Sequence, residues 1–368
     1  MRILCFIDYL GSGGAQRQLV TMAIGFKRRG HDVRFLVYHP GGHFLPELEA
    51  AKIPCLCIKK TGRVRRIWEV RRALRQGWQD VVLAFQRAPS LYSELAGLPN
   101  RHWGLVAGER IAHPDAGRGL RRWLAWPHRF ADRVVANSHT NRLTLEGAWP
   151  ELRPKLTTIY NAVDLERFGS SLPTGSGRAS GSPVRMVVAA SYQEKKNMLG
   201  LAQALYLLQQ SGGRGVITDW FGATPADQGP LLAATEFIKR HRLEPFLRFH
   251  PPVQEIEKEY QRADVVGLFS EYEGLPNVVC EGMACGKPII MSDVCDARRL
   301  VEDGKNGFLC DPDSPESIAK ALRRVTELTD SQLEQMGQES RRKAEALFDI
   351  GHILAEYEAV FESTRGLR

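Results

Sequence analysis

The chain has 368 residues, enough for two domains, and its 43% hydrophobic and 25% charged residues exclude a disordered, collagenous or coiled-coil chain as a global description. The net charge of +8 conceals an asymmetry: residues 1–168 hold 27 Lys and Arg against 14 Asp and Glu (+13), and the rest hold 23 against 28 (−5). A basic first half attracts the phosphates of nucleic acid, anionic lipid or a small molecule, and charge alone does not choose among them.

The opening MRILCFIDYLGSGG has no small-residue cleavage site, and its Asp8 argues against a signal peptide, so the mature chain is expected to begin at Met1. No window approaches the ~20 apolar residues of a membrane span. RILCFIDY reads as a strand, LGSGG as a turn and AQRQLVTMAIGFKRRG as a helix stopped by Gly30; a second strand, DVRFLVYH, follows at once. In IPCLCIKK, alternation places Cys55 and Cys57 on one face of a strand. Ile67, Val70 and Leu74 have helical spacing within TGRVRRIWEVRRALRQGW (61–78), which gives a helix with a cationic face. Further strands are VVLAF (81–85), HWGLVAG (102–108), RVVANS (133–138) and KLTTIYN (155–161). Between them, RGLRRWLAWPHRF (118–130) sets Trp123 and Trp126 among four arginines, the composition of an interfacial patch or of a solvated basic face. Strands separated by single helices imply parallel βαβ units, and this first domain, 1–168, ends near Phe168.

Residues 169–183, GSSLPTGSGRASGSP, cannot pack a core and are expected to form a flexible linker. The rhythm then restarts over 184–350: VRMVVAAS (184–191), a helix through NMLGLAQALYLLQQ, VITDWFG (216–222), a helix near LLAATEFIKRHR, FLRFH (246–250), a helix at IEKEYQRA, DVVGLF (264–269), a helix from Pro276 and KPIIMS (287–292). The last helix, about 352–368, has an apolar stripe that suits packing back on the first domain, although the pattern does not say which domain it touches. The expected fold is α/β, two Rossmann-like βαβ domains facing each other across a cleft where a ligand binds at the carboxyl ends of the strands. Seven scattered cysteines form neither a disulfide framework nor paired zinc motifs, and are read as reduced thiols in the cytoplasm.

The segment 264–293, DVVGLFSEYEGLPNVVCEGMACGKPIIMSD, carries the most chemistry. A buried strand leads to Gly274 and to Pro276 in a helix's first turn, so free N–H groups within residues 274 to 277, where Pro276 itself has none, and the helix dipole favour an anion such as a diphosphate. Glu273 just before the helix and Glu281 one turn inside it flank that position, and carboxylates beside a phosphate are useful when they accept from sugar hydroxyls. An isolated E-x7-E pair is common; a solvated loop acid and a surface helix residue have the same spacing.

Here, however, the string resembles the E-x7-E signature of family-4 retaining glycosyltransferases of GT-B fold. GSGGAQRQL (11–19) is similar to that family's glycine turn, ADRVVANS (131–138) to its aD-x-vvaNS strand, IYNAVDLERF (159–168) to its NGVD exit and AASYQEKKN (189–197) to its GR-x-x-x-x-K segment; YQRADVVGLFSEYEGLPN and VEDGKNGFLCDP (301–312) match as well. The resemblance implies that Glu281 binds nucleotide ribose hydroxyls and Glu273 hydroxyls of the transferred sugar, and that Lys196 pairs with the diphosphate beside Lys195. It further implies a phosphate-facing turn of Gly274, Leu275 and Pro276 leading into Asn277, approach of the first domain's backbone at Gly13 and Gly14 to the diphosphate or the acceptor, and a base against HPPV (250–253), ending at Val253. Ser191 stands where the family has arginine and brings no charge, so a basic residue such as Arg17 or Arg110 is expected to substitute. AGERIAHPD (107–115) offers Glu109, Arg110 and His113 as acceptor or leaving-group contacts; a local Glu109–Arg110 ion pair with an exposed His113 is the other reading.

The implied activity is retaining, metal-independent transfer of a hexose-type sugar from a UDP- or GDP-type nucleotide sugar to a glycan or lipid-linked acceptor, with no cofactor. The setting implied is cytoplasmic, with peripheral contact to an anionic membrane. Relatives by fold leave open an epimerase, a phosphorylase or a catalytically silent nucleotide-sugar-binding partner. A nucleic-acid module is disfavoured, because no helix-turn-helix, RRM or zinc-finger signature occurs.

Overall fold

The computed structural model describes residues 1–11, 13–59, 62–110, 126–169, 182–212 and 215–365, and the chain divides into two compact units, Met1–Ala162 with Ile350–Arg368, and Val163–Asp349. In the first unit seven parallel strands, β1 (Arg2–Phe6), β2 (Asp32–Val37), β3 (Cys55–Cys57), β4 (Val81–Phe85), β5 (Gly104–Glu109), β6 (Arg133–Ala136) and β7 (Leu156–Thr158), stand in the order β3-β2-β1-β4-β5-β6-β7. Every residue of β4 is buried, which a strand covered on one face would not permit; its uninterrupted apolar sequence follows from that. Phe6 of β1 faces Leu36 of β2 on one side and Ala84 of β4 on the other. The chain order reverses between β1 and β4, which makes the carboxyl ends of these two strands the switch point of the sheet.

The helix Ile350–Arg365 returns to this first unit. It lies so close to the first helix, Gly14–Arg28, that a Cβ on Gly25 would stand 2.5 Å from a Leu354 methyl. Arg29 donates to the Gly351 carbonyl at 2.9 Å, His31 lies 2.8 Å from Glu358, and the Phe26 and Phe361 rings are 5.4 Å apart. Burying rings of this size contributes roughly 1.5–3 kcal/mol each, enough to hold the helix.

The second unit carries β8 (Val184–Ala189), β9 (Val216–Phe221), β10 (Leu247–His250), β11 (Val265–Leu268), β12 (Ile289–Ser292) and β13 (Gly307–Cys310), all parallel, in the order β10-β9-β8-β11-β12-β13. Met186, Leu201, Leu205, Trp220 and Leu322 are among its core residues. The strand β13 was not expected from the sequence, because a four-residue run opening on glycine has weak strand character. Glycine is needed there: a Cβ on Gly307 would stand 2.0 Å from the Ile289 carbonyl oxygen.

Residues 163–168, expected in the first domain, belong to the second unit. The Val163 N–H donates to the Phe348 carbonyl at 3.0 Å, Arg167 pairs with Glu257 at 3.1 Å, and Phe168 packs near Tyr260. All seven cysteines are free thiols, and no helix among the described residues is long and apolar enough to cross a membrane. Most of the expected linker, residues 170–181, lies outside the described residues.

Candidate functional site

Parallel strands end on the same side of a sheet, so the loops after β8, β9, β10 and β11 share one edge of the second unit. After β8 the chain passes Ser191 and makes a single 3-10 turn, Glu194–Lys196. Asn197 ends the turn in the left-handed region, at φ 61°, and its Oδ1 accepts from the Gly200 N–H at 3.1 Å, so one residue both stops the turn and caps the helix Met198–Gln210. Its Nδ2 donates to the Pro312 carbonyl at 2.7 Å. Lys195 and Lys196 therefore rise from a fixed base. The Glu271 N–H donates to the Lys195 carbonyl at 2.9 Å, joining this loop to the one after β11.

Lys196 Nζ donates to Glu273 Oε1, and Ser270 Oγ donates to the same oxygen at 2.7 Å. The two charged side chains are 14% and 13% exposed, too buried to count as a solvated surface pair. Both bonds fall on Oε1; no hydrogen bond of the described residues uses Oε2. Lys195 Nζ stands 4.9 Å from the Tyr272 ring centroid, and burial, reinforced by the neighbouring Lys196, lowers its pKa. Ser191 adds no cation; its carbonyl accepts from the Gln193 N–H at 2.8 Å. Val253 is exposed in the loop after β10, where His250 Nε2 lies 2.7 Å from Asp219 Oδ1 and the imidazole stacks on Phe221.

Gly274, Leu275 and Pro276 lead into the helix Asn277–Ala284. Pro276 is its N-cap, at φ −77° and ψ 107°, rather than a member of its first turn as expected; the extended ψ sets it one residue outside. No hydrogen bond of the described residues uses the N–H of Gly274 or of Leu275. Gly282 lets the helix lie directly on β11, since a Cβ there would stand 2.9 Å from Val266. Glu281 is 5% exposed and accepts from the Tyr260 hydroxyl at 3.3 Å. A carboxylate this buried depends on partners within the fold and is not a solvated helix residue. Ser270 and Tyr260 were not singled out from the sequence; nothing in their spacing marks them, because both reach their glutamates through the fold.

In the first unit, Gly13 is the N-cap of the first helix and Gly14 its first residue, both exposed. Gly13 has φ −75°, open to any residue, and a Cβ there would stand 2.4 Å from Gln16 Oε1, the movable end of a flexible side chain. Arg110 does not pair its side chain with Glu109. Its guanidinium donates to Asn161 Oδ1 at 3.1 Å and to the Tyr357 hydroxyl at 2.6 Å and lies 3.6 Å from the Phe85 ring centroid. Arg110 is thus a buried strut to the C-terminal helix in this structure, in place of the exposed cation expected from the sequence. His113 lies outside the described residues, as does Trp123.

Glu109 has a partner that sequence reasoning missed. His128 is buried with Nδ1 3.1 Å from Glu94 Oε1 and Nε2 3.5 Å from Glu109 Oε2. Burial alone would lower its pKa, but the two carboxylates outweigh burial and raise it to about 10; burial likewise raises Glu94. Among the described residues no three His, Cys, Asp or Glu side chains are grouped as a metal site.

Family models match on both halves: Glycosyltransferase Family 4 over residues 12–167 and Glycosyl transferases group 1 over residues 182–327. An uncharacterized glycosyltransferase of Haemophilus influenzae is 32% identical, with 96% of this chain and 98% of that one covered. A Campylobacter jejuni α-1,4-N-acetyl-D-galactosaminyltransferase, named for a diNAcBac-PP-undecaprenol-linked glycan, is 23% identical, with 97% of each chain covered. Among solved structures, Anabaena HepE in complex with UDP and glucose has a TM-score of 0.84 at 21% identity, covering 99% of this chain and 100% of that one. A Rickettsia africae glycosyltransferase has the same TM-score at 17% identity, covering 99% and 98%. The fold is GT-B.

Proposed function

The chain belongs to glycosyltransferase family 4, and on that premise we propose that it is a retaining hexosyltransferase using a UDP- or GDP-type nucleotide sugar and extending a glycan or lipid-linked acceptor. One arrangement carries the reading: Glu281 is buried in a helix, the N–H groups of Gly274 and Leu275 in the turn that leads into that helix are unused, and Glu273, paired with Lys196, immediately precedes the turn. In this reading Glu281 accepts from the ribose hydroxyls, and Oε2 of Glu273 accepts from the transferred sugar. Lys196 exchanges its carboxylate partner for the diphosphate, with Lys195 and the N–H groups of Gly274 and Leu275 beside it. Val253 and its loop meet the base. Gly13, Gly14 and Glu109 serve the acceptor side, with Glu109 oriented by His128.

Stereochemistry is retained when the acceptor oxygen attacks the face that the diphosphate leaves. The bond from the anomeric carbon to the diphosphate oxygen breaks, the bond to the acceptor oxygen forms, and the acceptor's proton passes to the departing diphosphate. The protein's part is charge stabilisation and positioning by Lys196 and the helix amides. No metal ion or cofactor is needed in this scheme, so activity persists in excess EDTA; complete loss restored by Mg²⁺ overturns that part.

The test is thermal unfolding with a panel of nucleoside diphosphates, because a ligand at about 100 times its Kd stabilises the native state by about 2.7 kcal/mol. UDP or GDP is expected to raise the Tm, and product analysis with the matching nucleotide sugar is expected to yield transfer with retained configuration. Inversion, epimerisation or phosphate-dependent breakdown as the main reaction overturns the proposal.

A peripheral position on an anionic, cytoplasmic membrane face is part of the same proposal. On the helix Arg63–Leu74, Val64 and Trp68 are four residues apart and 71% and 69% exposed, with Arg65 and Arg72 also exposed, a basic face carrying apolar anchors.

A further inference from the structure

We propose that Asp8, Gln86 and Tyr9, at the switch point of the first sheet, form a seat for an uncharged, hydroxyl-rich saccharide, the sugar of the acceptor. This deepens the glycosyltransferase reading and rests on it. Asp8 and Gln86 each lie two residues beyond the Phe6–Ala84 pair of β1 and β4, so they emerge side by side where the strand order reverses.

The carboxylate is built in rather than loosely displayed. The Asp8 carbonyl accepts from the N–H groups of Tyr38 and His39, both at 3.1 Å, and its Oδ1 accepts from the Tyr9 N–H at 2.7 Å. With the amide of Gln86 oriented to satisfy its partners, its nitrogen donates to Asp8 Oδ1 at 2.7 Å and Oδ2 at 3.1 Å, and its oxygen accepts from Gln16 Nε2 at 3.1 Å. Gln86 reaches this position at φ 71°, a conformation that costs a non-glycine residue of order 1 kcal/mol and persists where the surroundings enforce it. Asp8 and Gln86 remain only half-buried, so the array keeps an open side.

Next to it lies Tyr9, 43% exposed, its ring edge-on to His39 with centroids 6.5 Å apart. The ring sits over Gly11, where a Cβ would stand 2.2 Å from Tyr9 Cε2, so this glycine permits the aromatic platform. A carboxylate and a carboxamide accept from and donate to hydroxyls, and an aromatic face receives the C–H side of a pyranose. A phosphate would be repelled by Asp8, which separates this seat from the diphosphate site of the second unit.

The probes are methyl α-D-glucopyranoside, methyl α-D-galactopyranoside and their 2-acetamido counterparts, titrated into the full chain and followed by saturation-transfer NMR. At least one is expected to bind. Asp8→Asn and Tyr9→Ala are expected to weaken it about tenfold or more while the nucleotide-induced Tm shift stays unchanged, and Glu281→Gln is expected to do the reverse. Tyr9 is exposed, so its variant carries the test if Asp8→Asn does not fold. Binding of no probe by the wild-type chain, equal binding by both seat variants, or a loss of nucleotide-sugar affinity instead overturns the proposal. Failure of the glycosyltransferase reading is registered separately, as the absence of any nucleotide-induced Tm shift in the wild-type chain.

Discussion

Replacing Lys196 by alanine separates a catalytic cation from a structural one. In the folded chain Lys196 shares Oε1 of Glu273 with Ser270, and both charged side chains are mostly buried. Removing the amine leaves Glu273 with one neutral donor, a loss of about 1–3 kcal/mol for a partly desolvated charge that keeps a hydrogen bond. For a domain of this size that lowers the Tm by about 2–12 °C, at roughly 2–4 °C per kcal/mol. Turnover is expected to fall much further, by about 10²–10³, the usual cost of deleting one preorganised group that stabilises departing charge. The double variant Lys196→Ala/Glu273→Gln removes the orphaned charge, so it is expected to regain most of the Tm and none of the turnover. The assay is initial-rate transfer from the nucleotide sugar that raises the Tm, with unfolding followed on the same samples. A Lys196→Ala enzyme of wild-type activity, or a double variant that recovers rate together with stability, refutes the reasoning.

Glu281→Gln keeps the hydrogen bond from Tyr260 but loses the charge, and is expected to reduce the nucleotide-induced Tm shift while the Tm of the unliganded chain changes by less than the Lys196 variant's; an unchanged shift removes Glu281 from the ribose. His128, with a folded pKa near 10 against about 6.5 unfolded, gives stability that is complete below about pH 6.5 and is lost as pH rises toward 10, at up to about 1.4 kcal/mol per pH unit. Subtracting the Tm profile of His128→Gln from that of the wild type isolates this term, and a difference that does not shrink between pH 7 and pH 10 contradicts the assigned charge (about 6.5 being the ordinary value). Trp68→Glu is expected to abolish flotation with phosphatidylglycerol vesicles and leave nucleotide binding intact; flotation that survives the substitution and is insensitive to salt removes the membrane face on this helix.

Much of the fold was legible because its signals are local. Strands such as VVLAF declare themselves by uninterrupted apolar runs, and the switch from helix to strand is marked by Gly30 and Gly286, both at positive φ. The helix behind Gly274 and the placing of Glu273 before it and Glu281 within it follow from spacing along a few residues, and the structure sets both where that spacing implied. Two Rossmann-like halves and the family resemblance were therefore already in the order of the residues.

What escaped the sequence depends on partners distant along the chain. Arg110 reads as a free cation beside a glutamate, yet its partners are Asn161 and Tyr357, and only the return of the last helix brings Tyr357 to it. His128 gains its charge from Glu94 and Glu109, and Asp8 acquires its amide clamp from Gln86, across elements that the sheet order brings together. The sequence by itself determined which residues carry chemistry and which segments become strands and helices, because those follow from side-chain type and short-range periodicity. Only the tertiary structure decided which charged groups are neutralised, buried or left facing a ligand, because desolvation and Coulomb attraction depend on distances through space that spacing along the chain does not encode.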